Sequence, residues 1–189
     1  MFTLKVDEEI ELQLLELQYA TELYWLVDSN RLYLREWLPW VDNMVSPASY
    51  HSIISLWLKQ FSENNGFNAG IRYKGQLVGS IGLHHIDWNH SQTSIGYYLA
   101  QSAQGKGIMT RVVKAVLNYI FFSLGLNRVE IRCGVNNYKS RAIPERLGFT
   151  QEGIIRDGEN LYGKFHDLAI YGMLSREWHN LLSIHSKNA

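Results

Sequence analysis

A lysine between two glycines marks the segment of this chain whose residue types could do chemistry. The segment reads Gln104-Gly105-Lys106-Gly107-Ile108-Met109-Thr110 and stands where a predicted strand gives way to helical periodicity. Glycine lets the backbone turn sharply and lets a ligand come close. The first N–H groups of a helix have no partner within it, and the helix dipole adds partial positive charge there. We therefore expect an anion site, typically for a phosphate group.

Two common phosphate-binding patterns do not fit this segment. A P-loop needs a glycine five residues before its Gly-Lys pair and Ser or Thr after the lysine, but Ala100 and Gly107 occupy those positions. A dinucleotide-binding fingerprint needs a third glycine where Thr110 stands, in a parallel βαβ unit. Here the segment follows predicted antiparallel strands. A glycine-rich turn without a ligand stays open as the alternative at this point.

Hydrophobic periodicity gives the elements that must position the segment. Short strands are predicted over 67–73, 76–85 and 93–99, separated by turn residues. A strongly amphipathic helix follows over 107–124. Its apolar face consists of Ile108, Val112, Ala115, Val116, Tyr119 and Ile120.

The other predicted elements are a strand near 10–14, helices over 18–36 and from Pro47 to about 64, a strand over 128–135, a short helix over 137–147, strands over 148–155 and 162–174, and a helix from Ser175. The order β-α-α-β-β-β-α-β-α-β-β predicts an α/β (α+β) fold. Its central sheet would be mixed, mostly antiparallel, of about seven strands flanked by helices. Because no linker or break in composition occurs, we expect one domain over residues 1–189.

Composition restricts the class of protein. The formal net charge is zero, which argues against nucleic-acid binding. No apolar run reaches the roughly 20 residues of a membrane helix, and no signal peptide is recognisable. A single cysteine, Cys133, is typical of a reducing compartment, so we expect a cytoplasmic protein. Residues 101–146 hold 8 basic and 2 acidic side chains, a net of +6, which suits an anionic ligand.

The segment Gln104-x-x-Gly107 resembles the phosphate loop of the GCN5-related N-acetyltransferases, with Met109 where that pattern has its last small residue. Further motifs follow in the order found in the branch that acetylates the N-termini of ribosomal proteins (the Rim-type alanine/serine N-acetyltransferases). They are Trp37-Leu38-Pro39-Trp40, Leu124 to Arg128, Asn137-x-x-Ser140, Glu145 to Phe149 and Glu152-Gly153. The resemblance spans roughly residues 9–178.

This resemblance implies that acetyl-CoA is the acetyl donor. It implies that the strands around Tyr97 and Ile131 splay apart and that the thioester lies in the gap. The residues that it places on the cofactor are Tyr97, Tyr98, Leu99, Gln104, Gly105, Lys106, Gly107, Ile108, Met109, Thr110, Asn137 and Ser140. The backbone from Gln104 to Met109 would hold the pyrophosphate, with charge added by Lys106.

The resemblance also implies two catalytic residues. Ser140 would protonate the departing thiolate, and Tyr138 is the rival for this role because many relatives use a tyrosine. Glu159 would accept the proton of the amine, which has a pKa of about 8 in an α-amino group; otherwise it is an ordinary turn residue. Pro144 is a complication, because a helix that begins near Asn137 would contain it and lose a hydrogen bond to the Ser140 carbonyl. Either the helix begins near Arg141 or it kinks.

Other reactive side chains have simpler explanations. Cys133 lies in a predicted core strand, so we expect a buried, inert thiol. The adjacent His84 and His85 point to opposite faces of a strand and cannot share a metal. The other histidines have no ligand spacing, and we expect no metal site.

The acceptor side is less defined. Tyr33, Trp37, Trp40 and Trp57 could wall a peptide groove or could be core aromatics. The carboxylates Asp28, Glu36 and Asp42 could attract a cationic amine, because residues 1–63 hold 10 acidic and 4 basic side chains, a net of −6. The expected acceptor is the N-terminal α-amino group of a protein. A small amine (a polyamine, an amino acid or an antibiotic) and a non-catalytic acyl-CoA-binding module are the alternatives, and a homodimer is expected.

Overall fold

The structure is a computed structural model that describes residues 3–187, with side chains described up to residue 184. Residues 1–2 and 188–189 of the expected domain lie outside the described residues. The strands are β1 (Thr3–Lys5), β2 (Ile10–Leu14), β3 (Phe67–Tyr73), β4 (Gln76–Leu83), β5 (Gln92–Leu99), β6 (Arg128–Gly134), β7 (Thr150–Leu161) and β8 (Lys164–Leu174). The helices are α1 (Ala20–Asp28), α2 (Arg31–Arg35), α3 (Pro47–Ser62), α4 (Ile108–Asn118), α5 (Tyr138–Arg146) and α6 (Ser175–Lys187).

All eight strands form one sheet in the order β1-β2-β3-β4-β5-β6-β8-β7. Every neighbouring pair is antiparallel except β5 and β6, which α4 connects as a parallel crossover. The predicted mixed, mostly antiparallel sheet is therefore confirmed. The prediction lacked β1, a three-residue strand too short to show a periodicity.

The core has one apolar cluster on each face of the sheet. Ile108, Val112 and Val116 of α4 are buried in the larger cluster, as the predicted amphipathic face requires. The second cluster joins the sheet to α1 and α3 through residues such as Leu23 and Ile54. These two clusters hold α4 on one face of the sheet and α1 and α3 on the other. No helix among residues 3–187 combines the length and apolar character needed to cross a membrane.

The single helix predicted over 18–36 is wrong, because the chain breaks between α1 and α2. The Ser29 hydroxyl donates to the Trp25 carbonyl at 2.6 Å, and the Asn30 amide donates to the Leu26 carbonyl at 2.8 Å. Side chains of this kind compete with backbone hydrogen bonds and favour helix ends. At this break the side-chain oxygen (Oδ1) of Asn30 accepts a hydrogen bond from the backbone N–H of Gln101 at 2.9 Å.

Two further boundaries differ from prediction. The helix predicted over 107–124 changes to a π-helical turn over Tyr119–Ser123. The strand predicted over 148–155 continues as β7 to Leu161, because β7 and β8 form a long hairpin with irregular register. This extension places Glu159 inside a strand.

Candidate active site

Strands β5 and β6 separate in the middle of the sheet. They pair only where Gln92–Ser94 lie beside Arg128–Glu130, and the pairing stops beyond those residues. A cavity of about 1190 Å³ fills the gap between them. Tyr97 lies on one wall and Cys133 on the other. The splay implied by the resemblance is thus present in the structure.

The splay exposes backbone groups of β5 to the cavity. The backbone N–H of His84 donates to the carbonyl of Ser94 in β5 at 2.9 Å, and the N–H of Ala100, the residue after β5, donates to the Val78 carbonyl at 2.7 Å. Both Ser94 and Ala100 thus direct these backbone groups toward β4. Because backbone groups alternate sides along a strand, those of Tyr97 and Leu99 face the gap. Groups of this kind can bind an extended amide-containing ligand as an added strand would.

The phosphate loop has the backbone that its glycines predicted. Gly105 and Gly107 have φ angles of +74° and +69°, in the left-handed region that favours glycine. Gly107 directly precedes α4, so the free N–H groups of the first helical turn follow it. The cavity lining includes most of the residues predicted for the cofactor, namely Tyr97, Tyr98, Leu99, Gln104, Gly105, Gly107, Ile108, Met109, Thr110, Asn137 and Ser140.

Lys106 is the exception among the predicted cofactor residues. It is exposed and does not line the cavity, and its ammonium nitrogen lies 5.7 Å from the ring centroid of Tyr73. The Lys106 side chain therefore lies outside the cavity lining.

Two other cations line the cavity from α5, and the sequence analysis missed them. Lys139 donates to the Gln104 side-chain oxygen at 3.1 Å, and Arg146 donates to the Thr110 hydroxyl at 2.9 Å. Both acceptors are neutral, so both cations keep their charge for a phosphate. Their spacing of seven residues puts them on one face of a helix, which is the signal that could have found them.

Two side chains, one in α2 and one just before it, hold the phosphate loop in place. The Gln104 amide donates to the hydroxyl of Tyr33 in α2, and Asn30 binds the backbone of Gln101 as described above. Arg111 in the first turn of α4 pairs with Asp7 at 2.8 Å and with Glu9 at 3.1 Å.

Ser140 lies at the cavity wall in the first turn of α5. The Asn137 side-chain oxygen accepts from the Ser140 backbone N–H at 3.1 Å, so Asn137 is the helix N-cap while it also lines the cavity. The Ser140 hydroxyl oxygen lies 3.2 Å from the sulfur of Cys133. Tyr138 is 71% exposed and does not line the cavity, so its position does not support the rival role.

Pro144 lies inside α5, which begins at Tyr138. The alternative of a start near Arg141 is therefore wrong. In a regular helix the Ser140 carbonyl would accept from the N–H of residue 144, which proline lacks. The hydroxyl of Tyr97 takes that place and donates to the Ser140 carbonyl oxygen at 3.1 Å.

Cys133 is buried, with 3% of its surface exposed. Burial raises the pKa of its thiol above the ordinary value of 9.0. The protonated thiol therefore prevails at neutral pH, and a thiol is a weak nucleophile. The structure matches the expected buried cysteine.

Glu159 lines the cavity from β7 rather than from a turn. Between the pairs Ile155–Leu168 and Glu159–His166, β7 contains two more residues than β8. This bulge is held by the Asp167 carboxylate, which accepts from the Asp157 backbone N–H at 2.8 Å. Bulges often redirect side chains beside active sites. Burial raises the pKa of the Glu159 carboxyl above 4.5, an effect that nearby His166 opposes.

The four candidate acceptor aromatics divide into two pairs. Tyr33 and Trp37 line the cavity, whereas Trp40 and Trp57 pack in the second apolar cluster. Trp40 contacts the ring of Tyr98 with a centroid distance of 5.6 Å. The carboxylates expected to attract a cation are less available than predicted, because Asp28 binds Arg31 and Asp42 binds Arg35.

The β7–β8 hairpin contributes Glu159 and Leu168 to the cavity lining. The hydroxyl of Tyr162, near its tip, donates to the Leu38 carbonyl at 2.7 Å, and the Arg35 guanidinium lies 3.7 Å from the Tyr162 ring centroid. The hairpin is thereby attached to the segment after α2. Within the part of the chain that the structure describes, no group of three His, Cys, Asp or Glu side chains could hold a metal.

The fold and cavity define a class of protein. Splayed strands with free backbone groups, a glycine cradle at a helix N-terminus and flanking cations fit a nucleotide-bearing thioester such as an acyl-coenzyme A. The family model described as "Acetyltransferase (GNAT) domain" matches residues 10–150.

Similar proteins agree with this class. The Bacillus subtilis protein named "Putative ribosomal N-acetyltransferase YdaF" is 44% identical over 179 residues, covering 94% of this chain and 98% of its own. Two solved structures also resemble the chain. The microcin C7 self-immunity acetyltransferase MccE, in complex with acetyl-CoA and AMP, is 31% identical with a TM-score of 0.86, covering 90% of this chain and 95% of its own. RimL, the ribosomal L7/L12 alpha-N-protein acetyltransferase in complex with coenzyme A, is 25% identical with a TM-score of 0.89, covering 92% and 98%.

The chain therefore belongs to the GNAT acetyltransferases. It is an acetyl-CoA-dependent N-acetyltransferase, as the resemblance implied.

Proposed function

We propose that the enzyme acetylates the N-terminal α-amino group of a protein, with a ribosomal protein as the first candidate. The observation that carries the proposal is the position of Glu159, a partly buried carboxylate on the acceptor wall of the cavity. It accepts no hydrogen bond from the described residues, so it is free to receive an amine. The names of the relatives YdaF and RimL refer to ribosomal acetyltransfer and support this acceptor.

The proposed reaction is direct attack of the amine on the thioester. Glu159 accepts a proton from the ammonium form, and the free amine attacks the acetyl carbonyl carbon. The attacking nitrogen then gives up its second proton to solvent. The tetrahedral intermediate collapses, its C–S bond breaks, coenzyme A departs as a thiolate, and Glu159 returns its proton to solvent. Ser140 donates a hydrogen bond and a proton to that sulfur and recovers its proton from solvent. No covalent acetyl-enzyme is required, so Cys133 has no chemical role.

The donor would be held by the cavity wall. Backbone groups of Tyr97 and Leu99 would bind the pantetheine arm, and the N–H groups after Gly107 would bind the pyrophosphate. Lys139 and Arg146 would add the charge that the sequence assigned to Lys106.

A small-amine acceptor is the second candidate. It is favoured by the likeness to MccE, a self-immunity acetyltransferase whose structure holds acetyl-CoA and AMP. The third candidate, an acyl-CoA-binding module without catalysis, does not agree with membership of an acetyltransferase family.

Release of coenzyme A from acetyl-CoA tests these candidates. The wild-type enzyme is assayed against peptides with free N-termini, the same peptides with blocked N-termini, polyamines and amino acids. Our proposal requires the highest kcat/KM for the free peptides. Equal or higher kcat/KM for a polyamine or an amino acid would favour the small-amine candidate.

We also propose three properties of the whole protein. It would act in the cytoplasm, where its proposed acceptor is made and a free thiol such as Cys133 persists. It would fold as one acetyltransferase domain, which the continuous sheet from β1 to β8 supports. It would form a homodimer, a proposal supported by its aromatic content of 13%. Gel filtration with light scattering tests the last of these.

A further inference from the structure

A second, smaller cavity of about 330 Å³ adjoins the donor cavity. Trp37, Gly134, Val135, Asn136, Phe165, His166 and Asp167 line it. Trp37 and Gly134 also line the larger cavity, so they form the boundary between the two. The other five residues of the small cavity do not line the donor cavity. The lining of the small cavity combines aromatic rings with polar groups.

Residue 134, at the boundary between the two cavities, is a glycine. A Cβ atom built on Gly134 would lie 3.4 Å from Cζ3 of the Trp37 ring. The edge of the indole ring thus occupies the space beside the glycine backbone. A branched side chain at this position would have to displace the ring or obstruct the boundary.

The strand pair β7–β8 connects the two cavities. Glu159 and His166 are direct cross-strand partners, and Glu159 lines the large cavity whereas His166 lines the small one. Side chains of such partners have Cβ atoms about 5 Å apart. An extended peptide advances by about 3.5 Å per residue. A peptide with its amine at Glu159 would therefore bring its second or third residue to His166.

Phe165 adds an exposed apolar surface at the same place. Its side chain is 63% exposed and belongs to the lining of the small cavity. A large exposed aromatic side chain beside polar groups is typical of a peptide-binding surface.

We infer that the small cavity is the subsite for the second and third residues of a polypeptide acceptor. The inference rests on the proposed function, because it requires the acceptor amine to lie at Glu159. Trp37 and Gly134 then determine how the chain passes from the donor cavity to the subsite, and Phe165 packs on the acceptor chain. An acceptor with no chain beyond its amine would gain nothing from the subsite.

The test compares acceptors of increasing length with one N-terminal residue: the amino-acid amide, the dipeptide amide and the tetrapeptide amide. For the wild-type enzyme we expect kcat/KM to rise at least 10-fold from the shortest to the longest. Phe165→Ala should remove most of that rise. Phe122→Ala is the matched control, because Phe122 is similarly exposed, at 54%, but lies in the π-helical turn after α4 and outside both cavities.

Gly134→Val gives an independent check at the boundary. It should lower kcat/KM for the tetrapeptide amide about 10-fold more than it lowers kcat/KM for the amino-acid amide. A conjugate of coenzyme A with the tetrapeptide, joined through an acetyl bridge, should bind Phe165→Ala more weakly than it binds the wild type. This binding measurement does not depend on turnover.

The outcomes separate the two proposals. A wild-type enzyme that acetylates peptides with no dependence on length, together with an unchanged Phe165→Ala variant, would overturn the subsite and leave the proposed function standing. A wild-type enzyme that binds acetyl-CoA but acetylates no free peptide N-terminus would overturn both.

Discussion

The hydroxyl of Tyr97 donates a hydrogen bond to the backbone carbonyl oxygen of Ser140 across 3.1 Å. Tyr97 belongs to β5, and Ser140 belongs to the first turn of α5. The bond satisfies the carbonyl that Pro144 leaves without its helical donor. It also ties the proposed thiolate partner to the strand that would bind the pantetheine arm.

Tyr97→Phe should therefore weaken both the fold and catalysis. Leaving the partly buried carbonyl without a donor should lower the free energy of unfolding by about 1–3 kcal/mol. The kcat should fall several-fold because Ser140 is no longer held. Urea unfolding and steady-state kinetics measure the two effects.

A second substitution makes this test specific. Pro144→Ala restores an N–H that can donate to the Ser140 carbonyl. In the Pro144→Ala background, Tyr97→Phe should lower the free energy of unfolding by less than it does in the wild type. The coupling free energy in the double-mutant cycle should be about 1 kcal/mol. Simple additivity of the two substitutions would contradict the account.

Substitutions of Ser140 and Tyr138 distinguish which of the two side chains protonates the departing thiolate. Ser140→Ala should lower kcat about 100-fold with little change in the Kd of acetyl-CoA, because the lost interaction is made to the leaving group. Tyr138→Phe should have almost no effect, since Tyr138 is exposed and outside the cavity. Rapid-quench kinetics and calorimetric titration separate chemistry from binding. The reverse pattern would assign the role to Tyr138.

Glu159→Gln should remove the base and change the pH dependence. The wild-type kcat/KM should rise with pH as the Glu159 carboxyl, whose pKa is raised by burial, loses its proton. The variant should show no such rise, and its kcat/KM at pH 7 should be about 100-fold lower than that of the wild type. A pH series of kcat/KM measures both, and an unchanged profile would exclude Glu159 as the base.

The same substitution makes a prediction for stability. Because the folded-state pKa is raised above 4.5, the folded protein binds this proton more tightly than the unfolded chain does. Stability is therefore lost as pH rises from the unfolded pKa through the folded one. Glu159→Gln should be more stable than the wild type at pH 7, and the difference should shrink below about pH 4.

Glu152→Gln on the same strand is the control with the opposite sign. Arg128, which contacts Glu152 at 2.5 Å, lowers the pKa of that carboxyl. Stability from this pair is present above the unfolded pKa and is lost as pH falls through the lowered one. Glu152→Gln should therefore be slightly less stable than the wild type at pH 7, with unchanged activity. Denaturant unfolding at pH 4 and pH 7 checks both variants.

Gly107→Ala should weaken acetyl-CoA binding through the backbone. A Cβ atom on Gly107 would meet no atom within 4 Å, so the cost comes from its φ angle of +69° and not from a clash. Gly125 is the matched control, with a φ of +68°, the same open space and a position outside the cavity. Both alanine variants should lose about 1 kcal/mol of stability.

Only Gly107→Ala should also raise the Kd of acetyl-CoA, because its N–H groups would turn away from the pyrophosphate. We expect a rise of about 10-fold by calorimetry. Equal Kd values for the two variants would show that the loop does not bind the pyrophosphate of acetyl-CoA.

The sequence predicted most of the fold because the deciding signals are local. Each of these signals determines the structure of only a few neighbouring residues. They are the amphipathic face of α4, the turn residues between β3 and β4, and the glycines at 105 and 107. The break at Ser29 and Asn30 was missed because polar side chains inside a helical pattern have two outcomes, and tertiary contacts decide between them.

The site was predicted where it depends on backbone and missed where it depends on contacts between distant residues. The cradle at Gly107 follows from residue types. The bond between Tyr97 and Ser140 joins residues 43 positions apart, and no local pattern contains it. The bulge that directs Glu159 into the cavity depends on Asp167 across the hairpin. The resemblance placed Lys106 on the pyrophosphate, but a match of residue positions does not give the direction of a side chain.

The most direct test of the central claim is where the acetyl group is attached to a peptide that offers two amines. A peptide with a free N-terminus and one internal lysine is incubated with acetyl-CoA and the wild-type enzyme, and tandem mass spectrometry locates the product. The account predicts acetyl on the α-amino group, at a rate that Glu159→Gln lowers about 100-fold. Acetyl on the lysine side chain alone, or transfer that Glu159→Gln leaves unchanged, would contradict it.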